Sequence, residues 1–183
     1  TMNPEEGDLR PQLLDRFALS VDIHGIRSAR ERVQIMERNL AFEGDSEAFR
    51  NEWEPMEKEL SSKIEKARSL VNKVSYTSRD LVTIARLTAS LNVEGHRSDL
   101  VILKAARTQA AFEGRKAITD LDIALAAELA LPHRLKHGPL QQQDISFDQL
   151  AERIDQLQGQ ESLSGNSKPS DADAGEAAEQ KKK

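Results

Sequence analysis

Apolar residues recur at intervals of three and four along most of this chain, the spacing that places them on one face of an α-helix. Seven stretches follow this pattern: 28–42, 48–53, 56–74, 78–91, 97–112, 121–131 and a last one that begins near 146. Ser28 has capping-box spacing before the first stretch, and Thr77 or Ser78 can cap the fourth. Short turns join most of these stretches, so the pattern predicts a mainly α fold built as a helical bundle.

Two features of the pattern are open to more than one interpretation. Pro55 separates 48–53 from 56–74, and because proline lacks an amide hydrogen, we expect it to interrupt or restart the helix there. The stretch 56–74 carries Leu60, Ile64 and Ala67 on one face, with charged residues around the rest. That face can pack along one seam of its own domain, which is the commoner outcome, or it can bind a partner.

Residues 17–23 have a different pattern, in which apolar and polar side chains alternate. Alternation with β-branched residues predicts one short strand, which ends before Gly25. A single strand is not stable without neighbours in a sheet. We therefore expect the other strands to come from a part of the protein that precedes Thr1, and this sequence to be a segment of a longer polypeptide. Any targeting signal could then lie upstream.

Composition narrows the class of protein. Of 183 residues, 31% are charged, 38% are hydrophobic and only 4% are aromatic, which suits a helical protein better than a β-sandwich or barrel. The net charge of −5 argues against a general affinity for nucleic acid or an anionic membrane. No cysteine is present, which excludes disulfides and thiolate zinc sites, and no apolar run is long enough to span a membrane.

The beginning of the chain concentrates polar and charged side chains on short, turn-rich backbone: Asn3, Arg10, Asp15 and Arg16. An amide and two arginines so placed suit a surface that presents donors to an anionic ligand or to a neighbouring subunit. The same residues also suit an ordinary solvated loop.

Three stretches resemble the AAA+ ATPases of the magnesium chelatase group. Residues 3–17, NPEEGDLRPQLLDRF, are similar to the segment that spans sensor 1 and the arginine finger in that family. Residues 94–100, EGHRSDL, resemble its sensor 2 region, and residues 127–135, AELALPHRL, resemble the end of its helical lid. The resemblance covers about residues 1–140. It implies a helical lid domain with a short remnant, one strand, of the α/β ATPase core.

The resemblance also implies roles for particular residues. Asn3 would be sensor 1, which orients the attacking water, and Arg16 would be the arginine finger, which reaches the nucleotide of a neighbouring protomer. Arg97 would be sensor 2 and would contact phosphate, in cis or in trans. Asp15 would orient Arg16 or pair across the interface between protomers, and Arg10 is a second interface candidate.

On this basis the chain divides into four parts: a remnant of the AAA+ core over 1–26, a helical lid with a long inserted helix over 27–140, an amphipathic helix over 141–158, and a disordered tail or linker over 159–183. Leu163 is the one large apolar residue of that last part, and such a composition does not support a packed core.

No G-x-x-x-x-G-K-[ST] motif occurs, so these 183 residues do not form a P-loop nucleotide site by themselves. The resemblance implies ATP and Mg²⁺ as cofactors of the full-length protein, and none for the segment alone, which we expect to be inactive. It implies a ring of protomers that couples ATP hydrolysis to metal insertion into protoporphyrin IX together with other chelatase subunits. The expected location is the cytoplasm, or the plastid stroma in a plant.

The alternative is a helical protein-interaction module of another AAA+ remodelling ATPase, such as a cobalt chelatase or a MoxR-like protein, with no catalysis of its own. A metal site within the segment is not predicted. His133 and His137 have the spacing of two ligands on a helix, but a third ligand is missing. The pairs Glu5/Glu6 and Asp120/Asp122 fit turn and capping chemistry better than acid–base catalysis.

Overall fold

The computed structural model describes residues 10–93, 95–135 and 146–164, and this part of the chain is helical. The helices are α1 (Pro11–Leu14), α2 (Ala29–Gly44), α3 (Ser46–Leu70), α4 (Ser78–Ser90), α5 (Arg97–Phe112), α6 (Asp120–Ala130), α7 (Pro132–Leu135) and α8 (Phe147–Ser164). A 3₁₀ turn, Val71–Lys73, follows α3. The prediction of a mainly α helical bundle is confirmed. None of the described helices is long and apolar enough to cross a membrane.

Helix starts and turns follow the predicted chemistry. Thr77 caps α4 in a capping box with Asp80, and Thr119 caps α6 in the same way with Asp122. Ser28 caps α2 by accepting a hydrogen bond from the Glu31 amide. The positive φ of Gly114, +73°, ends α5 in a conformation that glycine adopts without steric cost.

The core lies between α4, α5, α6 and α8. Fully buried side chains from all four helices meet there: Ile84, Leu87, Ile102, Ile123, Leu150 and Ile154. Ala106 and Ala110 of α5, with Ala124 and Ala127 of α6, are also fully buried and allow these two helices to approach closely. The helix predicted from Ser146 therefore packs as part of the bundle rather than beside it.

Two helix boundaries differ from prediction. Helix α3 continues from Ser46 to Leu70 with Pro55 inside it, so the expected interruption is wrong. Pro55 and Asn51 are both exposed, and water can satisfy the Asn51 carbonyl that loses its partner. Helix α8 runs to Ser164, six residues beyond the predicted end at 158, because its sequence contains no helix-breaking proline. The remainder of the predicted tail, 165–183, lies outside the described residues.

The predicted strand over 17–23 is not formed. These residues have no regular secondary structure, and no neighbouring strand pairs with them within the described part of the chain, where one isolated bridge joins Ser75 and Ala117. Val21 and Ile23 are 64% and 87% exposed. Because a strand needs a partner for its backbone groups, alternation alone does not produce one here.

Helices α2 and α3 form a less buried unit. No residue of α2 is buried, and Val33, Met36 and Leu40 are 45% to 66% exposed. The rings of Phe42, Phe49 and Trp53 hold the two helices together where they join. The C-terminal part of α3 packs on the core through Ala67 and Leu70, so this part of the apolar face packs within its own domain. Leu60 and Ile64, on the same face, are 52% and 44% exposed.

Candidate functional site

The segment 10–20 lies against the end of the bundle formed by α6 and α7. The Ser20 amide donates to the Leu129 carbonyl at 2.9 Å. The Nε2 of His133 lies 3.0 Å from the Phe17 carbonyl. A carbonyl only accepts hydrogen bonds, so Nε2 carries the proton in this contact. These contacts bring together the two ends of the sequence pattern that resembles the AAA+ family.

His133, which was considered above as one of two histidines at metal-ligand spacing, faces segment 10–20. Its side chain is buried, with 4% exposure, and one ring nitrogen is engaged by the backbone of Phe17. No group of three His, Cys, Asp or Glu side chains that could hold a metal occurs in the described ranges. His137, like Glu5 and Glu6, lies outside them.

Arg134 makes the most extensive contact with segment 10–20. Its Nη2 donates to the carbonyls of Phe17 at 2.8 Å and of Asp15 at 3.4 Å, and its Nη1 donates to the Ala18 carbonyl at 3.2 Å and to the Ala130 carbonyl. The side chain is only 5% exposed. Burial lowers the pKa of Arg134 below its ordinary value, the nearby charge of Asp15 opposes this, and an arginine with so high an ordinary pKa stays charged.

Asp15 lies between two arginines of the lid. Its Oδ2 is 3.4 Å from Nη1 of Arg97, and its Oδ1 is 3.7 Å from Nε of Arg134. The Asp15 carbonyl also accepts from Nη1 of Arg97 at 3.4 Å. The carboxylate is 56% exposed, so the ion pair with Arg97 contributes about 0–1 kcal/mol. Two residues singled out from the sequence, 82 positions apart, thus meet within one chain.

Arg97 is the first residue of α5, and its guanidinium points to solvent with 57% exposure. A turn with Gly95 at φ +79° precedes it, and Ser98 is buried directly after it. The buried Ser98 anchors this end of the helix, which leaves Arg97 on the outer side. A cation in the first turn is slightly unfavourable against the helix dipole, so its position is not explained by helix stability.

Arg16 and Arg10 are exposed. Within the part of the chain that the structure describes, no hydrogen bond or ion pair is made by the Arg16 side chain, although its amide donates to the Leu13 carbonyl at 3.0 Å. The Arg10 carbonyl accepts from the amides of Leu13 and Leu14 and so begins α1. Asn3 lies outside the described residues. The roles inferred for these residues stay predictions.

The site therefore contains one carboxylate and three guanidinium groups close in sequence or space: Asp15, Arg16, Arg97 and Arg134. Arg16 and Arg97 carry the exposed guanidinium groups, and planar, permanently charged donors of this kind suit a phosphate-bearing ligand. Sequence reasoning found three of the four. It missed Arg134, although this residue lies in the stretch 127–135 that resembles the end of the lid. The partners of Arg134 are backbone carbonyls, which have no signature in the sequence.

Comparison with known proteins identifies the family that this chain resembles. The AAA lid domain family matches residues 81–157, which begin within α4 and end within α8. A magnesium-chelatase subunit ChlI homolog from Methanocaldococcus jannaschii is 38% identical over 160 residues, 87% of this chain and 44% of that protein. The chloroplastic magnesium-chelatase subunit ChlI of Chlamydomonas reinhardtii is 41% identical over 161 residues, 87% of this chain and 38% of that protein.

An uncharacterised protein of Mycobacterium tuberculosis is 44% identical over 154 residues, which are 84% of this chain and 24% of that protein. The chain thus spans between a quarter and a half of the length of these relatives.

Proposed function

This chain carries an AAA lid domain and is related over most of its length to magnesium-chelatase subunits, and on that premise we propose that it is the lid-bearing part of a chelatase-type ATPase. ATP hydrolysis in a ring of such protomers drives metal insertion into a tetrapyrrole, protoporphyrin IX. Support comes from the contact between Arg97 and Asp15, which places the sensor 2 candidate beside the segment that carries the arginine-finger candidate.

The residues present fit an ATP–Mg²⁺ complex in part. Arg97 and Arg16 offer exposed guanidinium groups that match phosphate oxygens in geometry and charge. The phosphate-cradling P-loop and the Mg²⁺ ligands would come from the full-length protein, since this sequence has no such motif. When bound, Mg²⁺ neutralises charge on the phosphates. Arg97 then holds a phosphate at the lid, and Arg16 reaches the nucleotide bound to a neighbouring protomer.

The contact of Arg97 with Asp15 is compatible with this role. Because both side chains are more than half exposed, the ion pair is weak and Arg97 can turn from Asp15 to a phosphate at little cost. The partners in this proposal are the neighbouring protomers and other chelatase subunits. The location is the cytoplasm, or the plastid stroma in a plant, as for the chloroplastic relative from Chlamydomonas.

Arg97→Ala in the full-length protein tests the proposal. We expect ATP turnover to fall by about 100-fold, because a charged donor to the transferring phosphoryl group is lost. Arg153→Ala is the matched control, since the Arg153 guanidinium donates to the Ser90 carbonyl and hydroxyl within the bundle rather than to segment 10–20. Turnover unchanged by Arg97→Ala, with both variants folded, would contradict the role of Arg97.

A second candidate is a helical interaction module of another AAA+ remodelling ATPase, with no catalysis of its own. The exposed apolar residues of α2, Val33, Met36 and Leu40, favour it, because such a face suits a protein partner. Under this alternative, Arg97→Ala leaves nucleotide turnover unchanged, and substitutions on α2 weaken partner binding.

A further inference from the structure

Arg134 binds the backbone carbonyls of the two residues next to Arg16, Asp15 and Phe17. Its Nη2 donates to the carbonyl of Asp15, directly before Arg16, and to the carbonyl of Phe17, directly after it. The guanidinium is rigid and planar, so a single side chain fixes the backbone both before and after Arg16. The Arg16 main chain is thereby attached to the lid.

Other contacts reinforce this attachment. Nη1 of Arg134 reaches the Ala18 carbonyl at 3.2 Å, the His133 ring contacts the Phe17 carbonyl at 3.0 Å, and the Ser20 amide bonds Leu129 at 2.9 Å. The Arg16 side chain, in contrast, is exposed and has no polar partner in the described ranges. A fixed main chain beneath an outward-pointing guanidinium is the arrangement expected of a group that is aimed at something outside this chain.

We propose that Arg134 is the positioning residue of Arg16. Its buried guanidinium binds the carbonyls of Asp15 and Phe17, on either side of Arg16. The lid, rather than the conformation of segment 10–20 itself, therefore determines the position of Arg16. This inference rests on the proposed role of Arg16 in phosphoryl transfer. It adds a consequence, because any movement of α6 and α7 then moves Arg16 with them.

The test uses the full-length protein with Arg134→Gln, which removes the paired donors that bridge the two carbonyls. We expect kcat for ATP hydrolysis to fall about 10- to 100-fold, the effect of a displacement of roughly 1 Å in a catalytic group, while KM for ATP stays within about twofold. Arg107→Gln is the matched control, because Arg107 also binds two carbonyls, those of Val71 and Val74, at a distant part of the bundle. The control should leave kcat unchanged.

A double-mutant cycle separates positioning from general stability. If Arg134 acts through Arg16, Arg134→Gln lowers kcat in the wild type but has no further effect in an Arg16→Ala background. Equal losses in both backgrounds, or an equal loss in Arg107→Gln, would overturn the inference. Arg16→Ala without any loss of turnover would instead contradict the proposed function itself.

Arg134→Lys keeps the inference testable if the glutamine variant does not fold. Lysine preserves the buried charge, but its side chain is one bond shorter and lacks the planar guanidinium, so its ammonium does not reproduce the contacts of Nη2 with both carbonyls. We expect it to fold and to lower kcat by about threefold or more through displacement of Arg16. A folded Arg134→Lys protein with the wild-type kcat would show that bridging of the two carbonyls is not needed.

Discussion

Asp122 shows how a single buried charge is stabilised in this bundle. Its side chain is 3% exposed and accepts four hydrogen bonds, two from the guanidinium of Arg115 at 2.6 Å each and two from the amide and hydroxyl of Thr119 at 2.8 Å. Burial alone would raise the pKa of Asp122, but the hydrogen bonds from Arg115 and Thr119 outweigh it, so the pKa lies below its ordinary value. The hydrogen bonds to Asp122, in turn, raise the pKa of Arg115 above its ordinary value.

Asp122→Asn should destabilise the bundle by about 2–3 kcal/mol, because a charge-assisted hydrogen-bond pair and half of a capping box are lost. Asp120→Asn is the matched control, since Asp120 lies in the same helical turn, is more exposed and has one ion-pair contact, to Arg79 at 3.5 Å. Urea unfolding of both variants at pH 7 measures the difference. Equal effects on the free energy of unfolding would contradict the special role of Asp122.

The stability contributed by Asp122 should depend on pH in a defined direction. Because its pKa is lower in the folded state, the contribution is complete above the unfolded pKa of about 3.9 and is lost as pH falls through the folded value. The wild type should therefore lose more stability than Asp122→Asn between about pH 5 and pH 2. Parallel curves of unfolding free energy against pH would show that Asp122 does not titrate in this way.

For single residues, the sequence predicted local roles such as helix capping better than it predicted which distant groups a side chain contacts. The capping role of Asp122 follows from its position after Thr119, and this prediction is confirmed. The bond from Arg115 to Asp122 was not predicted, since many carboxylates lie within reach of an arginine in an unfolded chain. Arg134 was missed for a related reason: its acceptors are carbonyls, which every residue carries.

At the scale of elements, α8 is integrated into the lid. Leu150 and Ile154 are 1% and 0% exposed, and the guanidinium of Arg153 bonds the end of α4. The sequence predicted the helix and its apolar residues, but not what they pack against, because a hydrophobic stripe does not specify its partner. For the same reason α2 has a comparable stripe that remains exposed.

Leu150→Ala should therefore destabilise the lid by about 2–5 kcal/mol, through lost burial and the cavity that remains. Leu121→Ala is the matched control, because Leu121 is 61% exposed and its truncation opens no cavity. Thermal or urea unfolding compares the two. If both variants are as stable as the wild type, α8 is not required for the bundle, and the packing described for Leu150 contributes little.

Local signals and long-range contacts differ in how well they were predicted. Caps depend on neighbouring residues, and Ser28 and Thr77 cap their helices as expected. Pro55 did not end α3, since flanking turns and solvent compensate for one lost hydrogen bond. The alternation over 17–23 did not make a strand, because strand formation depends on a partner that local sequence does not provide.

At the scale of the whole molecule, the proposed function requires Arg16 to act at a site shared between protomers. Its guanidinium is exposed, while its main chain is attached to the lid through Arg134. Under this proposal, in a ring with head-to-tail interfaces each nucleotide would lie between one protomer's phosphate-binding loop and the next protomer's Arg16.

A mixing experiment with the full-length protein tests this arrangement. Arg16→Ala and a variant defective in its phosphate-binding loop should each be inactive alone, since each lacks one half of every site. In a random one-to-one mixture, about a quarter of the interfaces join an intact loop to an intact Arg16, so turnover should recover toward a quarter of the wild-type rate. Two loop-defective preparations mixed together are the control and should stay inactive. If no turnover appears although mixed rings form, Arg16 acts on the nucleotide of its own protomer or has no part in hydrolysis.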